Sequence, residues 1–117
     1  MREFGQHLTI DASLCNRKKL MDQSLVYDIL NKLPGKLGMS KMILPYAVKW
    51  LDPGATIDGI SGFVMIAESH VSIHTFPEKD YAFIDIFSCK PFDVDRAAEL
   101  LVNAFDAKKF TKKVIKR

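Results

Sequence analysis

Three runs in the middle of the chain, residues 62–68, 71–76 and 81–88, read as successive strands, and alternation sorts the polar side chains of the second and third. A period of two puts successive side chains on opposite faces of a strand. The links between the runs, Ser69-His70 and residues 77–80, are too short for a crossover helix and favour antiparallel pairing of neighbouring strands. A sheet of this kind needs something to cover its apolar face. Two segments can do so. Residues 22–33 place Val26, Ile29 and Leu30 at helical spacing, with Lys32 in the last turn and Pro34-Gly35 as the stop. Residues 93–107 carry Asp93 and Asp95 in a first turn and line up Val94, Ala97, Ala98, Leu101 and Phe105.

Further strands are predicted at residues 6–12, where His7, Thr9 and Asp11 alternate with Leu8 and Ile10, and at 110–116. Residues 43–48 read as another strand, interrupted by Pro45, and the polar, glycine-containing stretch 51–59 as a loop. The expected fold is α+β: a two-layer sandwich, a largely antiparallel sheet with helices on one face. The uncovered face is the natural place for a site or a partner.

The 117 residues, 48% of them apolar, fit a single domain over 1–117. So short a chain leaves much surface exposed, and a second copy would add burial. A net charge of +3 is little pull on polyanions. Six basic residues fall in the last ten with a single aromatic, Phe110, among them, which suits a solvated strand rather than a nucleic-acid surface. Two cysteines, Cys15 and Cys89, suit neither a disulfide scaffold nor a zinc site. With no apolar signal segment or membrane-length run, the expected location is cytoplasmic, with no membrane partner.

Polar residues crowd the central strands beyond what a core requires. Ser61, Glu68, Ser69, His70, Ser72, His74, Glu78, Asp85 and Cys89 fall within 29 residues. Ser72 and His74 share one stripe; Phe83, Asp85, Phe87 and Cys89 share another. Nothing resembles a phosphate-cradling loop or a nucleophile elbow. His70 and His74 have the i,i+4 spacing of helical metal ligands, but in a strand pattern, so no metal is expected. Glu68-Ser69-His70 allows different chemistry. A serine hydroxyl can attack the carbonyl before it, given a constrained backbone and donors for the oxyanion. Elimination from the resulting ester and hydrolysis then leave a pyruvoyl group, an electron sink like those proteins otherwise import.

Residues 60–70 (ISGFVMIAESH), 71–78 (VSIHTFPE) and 81–89 (YAFIDIFSC), with the opening Gly5-Gln6-His7-Leu8, resemble the prokaryotic S-adenosylmethionine decarboxylase proenzymes, the short dimeric form. The resemblance implies self-cleavage between Glu68 and Ser69, with Ser69 becoming the covalent pyruvoyl cofactor. It places Ser61 and His74 in self-processing, His74 as the base for elimination. Cys89 returns a proton to the substrate α-carbon, and Glu78 grips the ribose hydroxyls, with Phe76 a further pocket aromatic. The substrate amine would form a Schiff base with the pyruvoyl ketone. The resemblance also implies a small-molecule substrate and a homodimer whose sites lie at the interface. The product would be decarboxylated S-adenosylmethionine, the aminopropyl donor for spermidine and other polyamines.

One position departs from the family pattern. The aromatic ring commonly found six residues before the Ser61 position is Ala55 here; Trp50 could replace it, and Asp52 or Asp58 could serve a smaller cationic substrate. The alternatives are therefore an arginine or ornithine decarboxylase on the same fold, or a regulatory homologue without activity.

Overall fold

Five antiparallel pairings join six strands into one sheet of order β2-β3-β4-β5-β1-β6. The computed structural model describes residues 4–51 and 58–117, with side chains described over 4–50 and 59–117. The strands are β1 (Gln6–Ser13), β2 (Tyr46–Leu51), β3 (Asp58–Ile66), β4 (Ser69–Phe76), β5 (Tyr81–Ser88) and β6 (Lys109–Lys116). The helices are α1 (Arg17–Leu20), α2 (Gln23–Lys36) and α3 (Val94–Ala104). None is long and apolar enough to cross a membrane.

The alternation works as the sequence predicts. Leu8 and Ile10 of β1, Ile60, Val64 and Ile66 of β3, Val71 and Ile73 of β4, and Ile84 and Ile86 of β5 are buried on one face. Val26, Leu30 and Leu33 of α2 and Ala97, Ala98 and Leu101 of α3 close over them, with Phe105 just beyond α3. Each large apolar side chain removed from water in this way contributes roughly 1.5–3 kcal/mol. Gly62 lets α2 come close, because a Cβ there would approach Val26 Cγ1 to 2.8 Å. Asp22 caps α2 by accepting from Leu25 N (3.0 Å), and Asp93 caps α3 by accepting from Arg96 N (3.0 Å).

Five details differ from the sequence reading. Strand β3 begins at Asp58, inside the stretch read as a loop, rather than at 62. Helix α2 does not stop at Pro34-Gly35 but runs to Lys36, and the chain turns at Gly38 (φ 75°). Proline there forgoes the bond to the Leu30 carbonyl and crowds it, and burial of Pro34 against the core offsets that cost. Strand β2 starts after Pro45 rather than spanning it. The one-turn helix α1, capped by Asn16, was not foreseen. The tight link between β3 and β4 is Ala67-Glu68, not Ser69-His70, so Ser69 opens β4. Ala67 N donates to Ser40 O (2.8 Å), which holds the turn two residues earlier than predicted. Asp52 and Ala55, and the side chain of Asp58, lie outside the described residues.

Candidate active site

Strand register brings the two polar stripes together on the face that no helix covers. Ser72 is opposite Asp85, His74 opposite Phe83 and His70 opposite Phe87. On the other side of β4, Ser61 is opposite His74, and their side chains meet: Ser61 Oγ lies 2.9 Å from His74 Nδ1. Next to them the buried Thr75 turns its hydroxyl inward. Its Oγ1 donates to Leu20 O (2.8 Å) and accepts from Ile60 N (3.0 Å), fixing β3 and β4 at the level of the Ser61–His74 pair. Phe76 packs edge-on against Phe83 at 5.5 Å, and Tyr81 stacks on Phe83 at 5.1 Å. Glu78 is exposed on the single 3-10 turn Pro77–Lys79 that follows.

A second group gathers at the opposite end of β4. Ser69 is half-buried, with φ of 156°, a value that residues with side chains seldom adopt. The carbonyl oxygen of Glu68, in the peptide bond before Ser69, accepts from the backbone N–H of Cys89 at 2.9 Å. Gly5 backs this contact: a Cβ there would collide with the Ser88 carbonyl oxygen and lie 2.8 Å from Cys89 Cα. The Cys89 side chain is exposed. Phe4, Gly5, Gln6, Cys89 and Pro91 line a hollow of about 120 Å³ beside it, small against the roughly 300–1,000 Å³ of typical ligand pockets.

The sequence-predicted residues thus form two half-sites at opposite ends of β4; Ser61 and His74 lie on the uncovered face, whereas Ser69 is in step with the buried Val71 and Ile73 and pairs with the buried Ser88. Ser61, His74, Phe76 and Glu78 sit at one end of β4; Glu68, Ser69 and Cys89 sit at the other. Five residues of strand separate Ser69 from His74, and at about 3.3 Å per residue that is roughly 17 Å. The larger groove between α2 and α3, lined by Leu25, Ile29, Leu33 and Leu100, lies on the helix side, away from both.

Three features escaped the sequence reading. His7 Nε2 lies 3.0 Å from Asp85 Oδ1 on the uncovered face, a pairing visible only once β1 and β5 are known to be neighbours. His70 stacks on Phe63 (5.8 Å) and meets Phe87 edge-on (6.0 Å). Ser40 contributes only backbone groups, which no side-chain pattern announces. The described residues hold no group of three or more His, Cys, Asp or Glu that could bind a metal. Cys15 is remote from these residues; burial, with a smaller contribution from Asp80, pushes its thiol up to about 11.

The S-adenosylmethionine decarboxylase family profile matches residues 6–117. The S-adenosylmethionine decarboxylase proenzyme of Prochlorococcus marinus is 31% identical over 97% of this chain and 89% of its own. Those of Pyrococcus furiosus and Thermodesulfovibrio yellowstonii are 31% and 36% identical over 92% of this chain, covering 74% and 76% of theirs. In fold, the crystal structure of the adenosylmethionine decarboxylase from Aquifex aeolicus superposes with a TM-score of 0.86 over 100% of this chain and 92% of that one, at 24% identity. A profile match over nearly the whole length, with relatives above 30% identity, places this chain in the S-adenosylmethionine decarboxylase family.

Proposed function

We propose that the chain is a self-processing proenzyme that cuts itself between Glu68 and Ser69 and decarboxylates S-adenosylmethionine. The observation that carries this reading is the hydrogen bond from Cys89 N–H to the Glu68 carbonyl oxygen (2.9 Å). It polarises the one carbonyl that Ser69 Oγ must attack and stabilises the oxyanion that forms. As the tetrahedral centre collapses, the Glu68–Ser69 C–N bond breaks and an ester to Oγ remains. Removal of the Ser69 α-proton then breaks the Cβ–Oγ bond. Glu68 leaves as a carboxylate, and water releases ammonia from the residual enamine to give the pyruvoyl terminus.

The base for that proton is His74, with Nδ1–H donated to Ser61 Oγ so that the Nε2 lone pair stays free. It cannot reach Ser69 of its own chain across roughly 17 Å of strand. A second copy supplies it. Two uncovered faces stacked head to tail bring the Ser69 end of one protomer to the His74 end of the other. The face is suited to burial, since Phe63, Met65 and Phe83 are 39%, 41% and 38% exposed there. The dimer therefore completes the site.

Ser69 opens a strand beside the backbone donor and the exposed Cys89 thiol, which fits a pyruvoyl group at that position. The group supplies a ketone that draws off the electrons released with CO2. Around it, Cys89 Sγ returns a proton to the substrate α-carbon. Glu78 accepts from the ribose hydroxyls, and Phe76 offers its ring to adenine. Trp50, 60% exposed and in register with Gly59 on the same face, supplies a second ring in place of Ala55. The product is the aminopropyl donor of polyamine synthesis.

Intact-mass analysis of purified protein tests the reading. Fragments of 68 and 49 residues, the second with a pyruvoyl terminus, are expected. A chain that stays whole, or a split protein that releases no CO2 from S-adenosylmethionine, overturns it.

A further inference from the structure

Glu68 is the last residue before the proposed cut, and nothing in the chemistry above uses its side chain. Yet the residue is only 9% exposed. Burying a carboxyl in a turn is costly unless it is paired. Its pairing is specific: Oε1 accepts from the backbone N–H of Ser40 at 3.1 Å. The same Ser40 accepts from Ala67 N through its carbonyl oxygen at 2.8 Å. Lys41 bridges to Ile66, and Met42 N donates to Met65 O (2.9 Å). Residues 40–42 thus lie along the end of β3 as a short extra rung that stops at Glu68.

The Glu68 residue is consequently fixed on both sides of its α-carbon. The Ser40 peptide holds its side chain and the amide of the residue before it; Cys89 N–H holds its carbonyl oxygen. Attack by Ser69 Oγ closes a five-membered ring, and it succeeds only when the plane of the Glu68–Ser69 peptide faces the hydroxyl. With the chain held on either side, that plane turns by linked rotation about the Cα–C bond of Glu68 and the N–Cα bond of Ser69, whose φ is 156°. A side chain anchored to a rung outside the turn removes that freedom, which is how orientation accelerates an intramolecular reaction.

We propose that the Glu68 carboxylate, seated on the Ser40 N–H, is a positioning group for self-cleavage. The inference rests on the self-processing reading and adds a residue to it. The required property is an acceptor oxygen, not charge. Glu68→Gln keeps that oxygen, and Glu68→Ala removes it.

The test is a time course of uncut chain from freshly translated protein, for the wild type and both variants. Glu68→Ala should slow cutting by about tenfold or more, while Glu68→Gln stays within about threefold of the wild type. Thermal midpoints in a Ser69→Ala background, where no chain is cut, check the fold, and Glu68→Ala should remain folded there at the assay temperature. Wild-type cutting rates in Glu68→Ala overturn the inference and leave self-processing intact. So does Glu68→Gln slowed as much as Glu68→Ala, and so does slow cutting explained by an unfolded Glu68→Ala,Ser69→Ala chain. A wild-type chain that never splits overturns the reading beneath it as well.

Discussion

Ser61 Oγ and His74 Nδ1 lie 2.9 Å apart on directly opposite residues of β3 and β4. In the proposed self-processing the serine would hold the imidazole in one tautomer and the histidine would remove the proton. Their variants should therefore fail differently. His74→Ala should stall after the acyl shift, accumulating a chain that hydroxylamine splits at the ester. Ser61→Ala should still be processed, slowed by roughly tenfold to a hundredfold. A His74→Ala chain that matures at the normal rate excludes histidine as the base.

The distance between the two half-sites makes mixing experiments decisive. Chains carrying Ser69→Ala and His74→Ala should each remain whole when made alone. Co-expressed, they should form mixed dimers in which the His74→Ala chain alone is cut, at the site completed by the partner's histidine. No cut in any mixture would place both groups within one protomer.

Gly5 backs the Cys89 peptide, whose N–H holds the Glu68 carbonyl. Gly5→Ala should push that peptide away and slow the cut without changing the nucleophile. Mass spectrometry after a fixed interval should find more uncut chain than in the wild type. Equal amounts would mean the backbone donor is dispensable.

Thr75 belongs to the His-Thr-Phe-Pro-Glu run that marks the family, but its role in the structure is mechanical. Thr75→Val keeps the shape and leaves Ile60 N–H and Leu20 C=O without the hydroxyl that pairs both. The cost should be about 2–4 kcal/mol, read from denaturant midpoints in an uncut Ser69→Ala background. A shift below about 0.5 kcal/mol would mean water replaces the hydroxyl.

The two cysteines should separate chemically. Cys89 is exposed and should be alkylated in the folded protein, whereas the buried Cys15 should resist until unfolding. Burial and Asp80 raise the folded Cys15 value from 9.0 to about 11. Its contribution to stability is therefore complete below about pH 9 and is lost as pH rises towards about 11, because the unfolded thiol ionises first. Cys15→Ala should lose less stability than the parent over that interval. Parallel losses would assign the alkaline decline to other groups.

Alternation made β4 and β5 legible because one face of each is buried and the other open, whereas β3 was legible as an apolar run, Phe63 and Met65 being large apolar residues on its open face. The end of α2 was not legible, since Pro34 interrupts a sequence pattern more than it interrupts a helix whose last turn is packed. Placing the β3–β4 link at Ser69-His70 rather than Ala67-Glu68 followed from reading side chains alone. The actual turn is set by Ser40, which acts through its peptide groups from a segment without strand periodicity. Ser61 and His74 were nameable from the family motif. Their contact, and the separation of His74 from Ser69, came only with the register. The His7–Asp85 pair likewise depends on β1 lying beside β5, a neighbour relation that strand order in the chain does not suggest.

Strand β1 lies between β5 and β6, although it comes first in the chain. A break between Glu68 and Ser69 would therefore leave two interlaced pieces, with β1 of the first inserted between two strands of the second. The folded sheet could keep its shape through such a break, but its formation could not be repeated on the same terms. The uncut chain folds as one molecule at a rate independent of concentration. Two denatured fragments would have to find each other first, so recovery would become second order and fail on dilution. The cut would convert a reversibly folding chain into a particle that is assembled only once.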